Sequence, residues 1–188
     1  ADDLLGAARV QQGDVVVAMA SSGLHSNGYS LVRHVLLKAA RLRLDDELPE
    51  LAGPLGEVLL TPTRIYARDC LALAAEVEVH AFAHVTGGGL AANLARVLPA
   101  HLDAVIERGS WMPPAVFGLI AARGRVEAAE MEHTFNQGVG MVAVLPAAAV
   151  DAALAVLRER ALPAWIAGGV LAGEGVARLV GAHPDLGT

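Results

Sequence analysis

The sequence predicts an α/β (α+β) domain, a three-layer α/β/α sandwich built on a mixed sheet. Three observations carry this. Short runs rich in valine and alanine alternate with segments of helical period. The run 139–145 (VGMVAVL) is apolar on both faces, as a strand is when helices cover both sides. Polar, glycine-bearing turns separate the two kinds of segment.

The first strand is expected at 14–21 (DVVVAMAS). A small polar turn then opens a helix over 26–40, with Leu31, Val32, Val35, Leu36 and Ala39 on its apolar side and Arg33, Lys38 and Arg41 on the other. Residues 41–57 hold Pro49, Gly53, Pro54 and Gly56 and read as a surface excursion. Pro62 and Thr63 read as the start of a helix over 63–76. A strand at 78–85 leads through a glycine run into a helix over 88–98. Further strands are expected at 103–108, 139–145, 165–171 and 176–180, and further helices at 114–123, 126–134 and 147–161. Residues 182–188 lack periodicity and read as a frayed tail. No repeat or linker interrupts the chain, so residues 1–188 form one domain.

Composition limits the function. The 188 residues are 54% hydrophobic with a mean hydropathy of +0.47. No apolar run reaches the roughly 18 residues that a membrane span needs, so no membrane is expected. No secretory pattern is present. A net charge of −6 without a basic cluster gives no case for nucleic acid. Cys70 is the single cysteine, which excludes an intramolecular disulfide, and it falls on an apolar helical stripe as a small core residue. A reducing, cytoplasmic compartment is expected. Asp2-Asp3 and Asp45-Asp46 lie in polar segments and read as solvated, so no metal ligands are assigned.

Two loops carry the candidate chemistry. Ser22, Gly23, His25, Ser26, Asn27 and Gly28 lie where a strand runs into a helix. That junction aims backbone N–H groups and the positive end of the helix dipole at one point, a site for a phosphate or another anion. The plainer alternative is a turn capped by Ser26. Thr86, Gly87, Gly88 and Gly89 form the second loop, where backbone must approach something closely or adopt positive φ. His84 precedes it, as His25 sits within the first. His25 is expected to lend positive charge to an anion below about pH 6.5. His84, ending an apolar strand, is expected to be buried and neutral. Arg64 is a candidate anion contact, or else the partner of an acid. Asn136 and Gln137 either present amides to the cleft or form a turn that lets Gly138 and Gly140 pack closely.

Four stretches together resemble one family. They are GDVVVAMASSGLHSNGYSLVRHVL from Gly13, LLTPTRIYARDCLAL from Leu59, VHAFAHVTGGGLAANLARVLP from Val79 and MEHTFNQGVGMVAVLP from Met131. In this order they resemble phosphoribosylformylglycinamidine cyclo-ligase (aminoimidazole ribonucleotide synthetase), and specifically its C-terminal domain. The family has Pro where this chain has Leu24, a change expected to loosen the turn.

The resemblance implies an ATP-dependent ligase of purine biosynthesis. Such enzymes convert formylglycinamidine ribonucleotide and ATP to aminoimidazole ribonucleotide, ADP and phosphate. It implies that ATP and Mg²⁺ are bound mainly by an N-terminal domain absent from this chain, and that the full enzyme is a homodimer. The chain has no GxxxxGK[ST] loop and one lysine, Lys38. It would supply the second wall of the cleft. His25 and His84 would serve in catalysis. The residues Ser22, Gly23, Ser26, Asn27, Gly28, Arg64, Thr86, Gly87, Gly88, Gly89 and Asn136 would hold the ribonucleotide or its phosphate. His133 is not carried over, and Gly168-Gly169 has no functional account. The alternatives are a non-catalytic phosphate- or nucleotide-binding module, or a related synthetase or kinase of the same fold family.

Overall fold

A computed structural model describes residues 4–184. A mixed sheet of six strands in the order β2-β4-β1-β5-β3-β6 runs through it. The strands are β1 Val15–Ala20, β2 Ala81–His84, β3 Leu102–Glu107, β4 Val139–Leu145, β5 Ala164–Ala172 and β6 Ala177–Val180. All pairings are antiparallel except β3 with β6. The fold is α+β with a curled sheet. β4 has the limits expected from sequence, and β2 is shorter because residues 78–80 precede the ladder.

β1 is the central strand and is buried on both faces. Val16 and Ala18 face one core with Ala83, Val142, Ile106 and helix α4 (Gly89–Ala95), through Leu90 and Leu94. Val17 and Met19 face a second core under α3 (Ala67–Glu76) and α7 (Val150–Glu159), through Leu73, Val156 and Leu157. Alternation of period two along one strand thus feeds two cores. Each fully buried leucine contributes about 1.5–3 kcal/mol. The helical layer on the second face is partial: on β5, Ile166 and Leu171 remain 51% and 44% exposed. Cys70 packs half-buried against the second core, and burial pushes its thiol up to about 11.

A third core lies among helices and the loops beside them, away from the sheet. α1 (Tyr29–Val32) continues as π-helical turns over Arg33–Ala39, where the Ala40 amide donates to the Val35 carbonyl at 2.9 Å. It packs with α2 (Leu55–Leu59), α5 (Ala115–Gly124) and α6 (Ala128–Thr134) through Val32, Leu36, Leu59, Ile120 and Met131. The surface excursion expected at 41–57 is therefore corrected. Leu55 is fully buried, and the segment folds back as the Gly56 amide donates to the Leu44 carbonyl at 2.8 Å. Its leucines follow no regular period, so periodicity does not reveal them.

Two helix starts also differ. Helix α3 begins at Ala67, not Thr63, because the preceding residues form a strap over the first loop. Helix α1 begins after Gly28, whose left-handed φ of 80° forms its N-cap without a side-chain cap; Ser26 is therefore not a cap. Gly168 gains a structural account: a Cβ there would lie 1.9 Å from the Val105 carbonyl oxygen, beside a bulge between β1 and β5. Of residues 182–188, His183 packs edge-on against Trp111 at 4.7 Å between ring centres, while 185–188, like Asp2-Asp3, lie outside the described residues.

Asp103, 3% exposed, joins the far strands. Its carboxylate accepts the Glu174 and Val176 amides at 2.8 and 3.0 Å and pairs with Arg178. The two amides first, and then Arg178, hold the carboxyl below its usual range. A depressed acid stabilises the fold above its unfolded value, about 3.9, and that stability is lost as pH falls through the folded value. Asp103→Asn should therefore be less stable than the wild type at pH 7, and the gap should close below about pH 4. Urea unfolding at pH 7, 5, 4 and 3 measures it; a gap independent of pH contradicts it.

Candidate functional site

β1 and β2 both run antiparallel to β4, so they point the same way and their C-terminal ends lie at one edge of the sheet. The Ser21–Gly28 loop leaves from β1 and the Thr86–Gly89 loop from β2. They meet: the Asn27 Oδ1 lies 3.7 Å from where a Gly87 Cβ would stand.

The first loop is clamped from the far end of the chain. Asn136, 4% exposed, donates from Nδ2 to the Gly23 and Leu24 carbonyls at 2.9 and 3.2 Å. Its Oδ1 accepts the Gly138 amide at 2.8 Å and the Ser21 hydroxyl at 3.1 Å. The Asn136 side chain is thus engaged within the protein, as a clamp on the loop. Leu24 is 2% exposed and anchors the loop in the third core.

The strap 61–64 crosses the same loop. The Ser22 hydroxyl donates to the Pro62 carbonyl at 2.7 Å and accepts the Arg64 amide at 3.1 Å. Ser26 and Thr63 share a hydroxyl hydrogen bond at 3.1 Å. The Arg64 guanidinium instead reaches the Ala161 carbonyl at 3.4 Å, so it is the backbone of Arg64 that meets the loop. Beside the strap, a cavity of about 280 Å³ is lined by Ser21, Ser22, Gly23, Glu50, Thr61 and Val116 among others.

The two histidines exchange the environments expected of them. His25 is 5% exposed and adopts a left-handed φ of 59°. Its Nε2 accepts the Ser22 amide at 3.1 Å, so the proton of the neutral ring sits on Nδ1, which is buried without a partner. Burial, and then nearby His84, push the imidazole below its usual value. Both disfavour the positive charge expected of His25. His84 is exposed on the edge strand β2. Tyr66 stands between them, its ring centre 6.1 Å from His25 and 6.2 Å from His84.

The second loop is held from within by a residue that sequence reasoning missed. Asn93, 4% exposed on α4, donates from Nδ2 toward the Thr86, Gly87 and Gly89 carbonyls at 3.2, 3.3 and 2.7 Å. The Thr86 hydroxyl donates to its Oδ1 at 3.1 Å. The available signal was a polar residue beside Leu90 and Leu94 on the inward stripe. Gly87 is exposed, whereas Gly89 is buried with φ 72°, and a Cβ there would lie 1.7 Å from the Glu132 carbonyl oxygen. Gly88 starts α4 in a left-handed conformation. Among the described residues no three His, Cys, Asp or Glu side chains converge.

The class is an α+β domain that sets two glycine-bearing strand-to-helix loops side by side at one sheet edge. The thiamine-monophosphate kinase of Stenotrophomonas maltophilia K279a shares the fold with a TM-score of 0.62 and 21% identity, over 93% of this chain and 52% of that one. E. coli HypE, a hydrogenase maturation protein, does so at 0.59 and 22%, over 95% and 49%. Those identities speak to fold alone. The chain belongs to the family of AIR synthase related proteins, C-terminal domain, which residues 11–181 match. It is 59% identical over 159 residues to a Streptomyces fradiae protein provisionally named phosphoribosylformylglycinamidine cyclo-ligase, covering 85% of this chain and 87% of that protein. It is 51% identical to the phosphoribosylformylglycinamidine cyclo-ligases of Symbiobacterium thermophilum and Anaeromyxobacter dehalogenans strain 2CP-1, over 92% and 88% of this chain. It spans 50% and 48% of their lengths. No helix among the described residues is long and apolar enough to cross a membrane.

Asn136→Ala leaves buried partners unsatisfied and should destabilise the chain by about 1–3 kcal/mol. At this size that lowers the melting temperature by roughly 3–10 °C; an unchanged value by calorimetry would remove the clamp. His25 gives a pH signature. Its folded value lies below the unfolded 6.5, so the unfolded chain takes up the proton first as pH falls, and stability declines. The advantage of the wild type over His25→Asn should therefore shrink from pH 7.5 to 5.5, read as the difference in melting temperature. A constant difference contradicts a neutral His25.

Proposed function

We propose that this chain is the substrate-binding C-terminal half of an ATP-dependent cyclo-ligase that turns formylglycinamidine ribonucleotide into aminoimidazole ribonucleotide in purine biosynthesis. The observation that carries this is the 51% identity to two cyclo-ligases over nearly the whole of this chain but about half of theirs. The meeting of the two loops supports it, since one small ligand can touch both.

In this reading an N-terminal domain binds ATP and Mg²⁺, and the full protein is a cytoplasmic homodimer. ATP activates the formyl amide oxygen, and the amidine nitrogen closes the ring. This chain presents the polar face for the ribonucleotide. Ser26, Asn27 and the amides toward Gly28 meet its phosphate, while Gly87 and Gly88 let it approach the backbone. His25 offers a neutral N–H to an acceptor, and exposed His84 exchanges a proton with the reacting groups. Arg64, whose guanidinium reaches Ala161, would have to leave that carbonyl to add an anion contact.

Two measurements test it. The chain alone should not form aminoimidazole ribonucleotide. It should do so when supplemented with the N-terminal half of the Symbiobacterium thermophilum cyclo-ligase. Turnover by the chain alone, or none in the mixture, contradicts the reading. In the mixture, Asn27→Ala or Ser26→Ala should raise the KM for the ribonucleotide about ten- to a hundredfold, the effect of one lost hydrogen bond to a charged group. Unchanged KM with lower thermal stability would leave both residues as loop supports.

A further inference from the structure

Tyr66 belongs to neither loop, yet both histidines border it. It is 3% exposed, and its phenol donates to the Ala20 carbonyl at 2.7 Å, at the point where β1 gives way to the first loop. The space it occupies exists because residue 140 has no side chain. Gly140 is the extra residue of a bulge: Met141 opposes Met19, and Val139 opposes Ala20. A Cβ on Gly140 would lie 1.9 Å from the Tyr66 oxygen and 2.7 Å from the His25 Cε1. The His84 ring centre lies 6.2 Å from its own, and Arg64, Asp69 and Cys70 lie near it along its own segment.

His25 therefore has Tyr66 and Gly140 as walls and the Ser22 amide on Nε2. A ring nitrogen that accepts a hydrogen bond does not carry the proton. The other nitrogen must, and it is buried with no partner among the described residues. A buried donor left in this state calls for a functional or structural cause.

We infer that Tyr66 is a positioning residue: bonded to Ala20 and seated in the gap over Gly140, it locks His25 as the tautomer that carries its proton on Nδ1. A role of that tautomer in turnover rests on the cyclo-ligase reading; the lock itself does not. Tyr66 touches no substrate. It acts by denying the imidazole the ring flip that would put Cε1 in place of Nε2 against the Ser22 amide and so free either nitrogen to carry the proton.

The tautomer is read by long-range ¹⁵N–¹H correlation of the imidazoles in the ligand-free 188-residue chain at pH 7.5. The wild type should show His25 as a single Nδ1–H tautomer. Tyr66→Phe keeps the ring and loses the bond to Ala20, and Tyr66→Leu loses both. Each should give a mixture of tautomers while circular dichroism reports an intact fold. If Tyr66→Leu does not fold, Tyr66→Phe decides. A wild type protonated on Nε2, or a variant that folds and stays locked on Nδ1, overturns the inference.

A second readout uses the mixture with the Symbiobacterium N-terminal half. There Tyr66→Phe should lower kcat about tenfold and leave the ribonucleotide KM within twofold, a split that mere loss of packing does not produce. Equal kcat overturns the role in turnover. A wild-type mixture without activity, in which the tautomer remains locked, overturns the cyclo-ligase reading and upholds the lock.

Discussion

The antiparallel pairing of β1 with β4 is the constraint on which the rest of the site depends. β1 delivers the first loop at its end. β4 delivers Gly140 into the bulge beside it, and the turn before β4 delivers Asn136. β2, paired to the other side of β4, delivers His84 and the glycine run to the same edge. A slip of β4 by one residue would turn its faces over, empty two cores of their valines and move Gly140 away from Tyr66. The same pairings that bury the apolar faces therefore set the geometry of the polar edge.

Loop shape here comes from side-chain amides more than from helix caps. Neither α1 nor α4 has a side-chain cap. Asn136 closes one loop and Asn93 the other, each buried and each bonding several backbone carbonyls. An asparagine suits this place because one planar amide both donates and accepts. Buried carbonyls that would otherwise lack partners are satisfied by these amides.

Much of the frame was legible in the sequence. The apolar run 139–145 appears as β4 with the same limits, because burial on both faces leaves an unmistakable pattern. The two glycine loops stand where a strand period gives way to a helical one. What was not legible depends on contacts between distant segments. His25, in a polar loop, is buried because β4 and the strap close over it, while His84, at the end of an apolar strand, is exposed because that strand is an edge. Tyr66 falls within the helix expected over 63–76 and is singled out by no motif. Its importance comes from Gly140, a residue distant in sequence whose missing methyl no periodicity records. The helix α2 escaped notice because its leucines answer the shape of a third core, not a repeat.

The clamp by Asn136 also carries information about time. It joins residues 112 to 115 positions apart, the widest sequence separation of any side-chain hydrogen bonds among the described residues. Closing so long a segment is entropically unfavourable until other contacts hold its ends together. The first loop thus has no means of keeping its shape while β4 is still being made or has yet to find β1. A nascent or partly unfolded chain presents the same residues in the same order but without a shaped site. The shape of the first loop depends on that long-range pairing and is lost when the pairing opens.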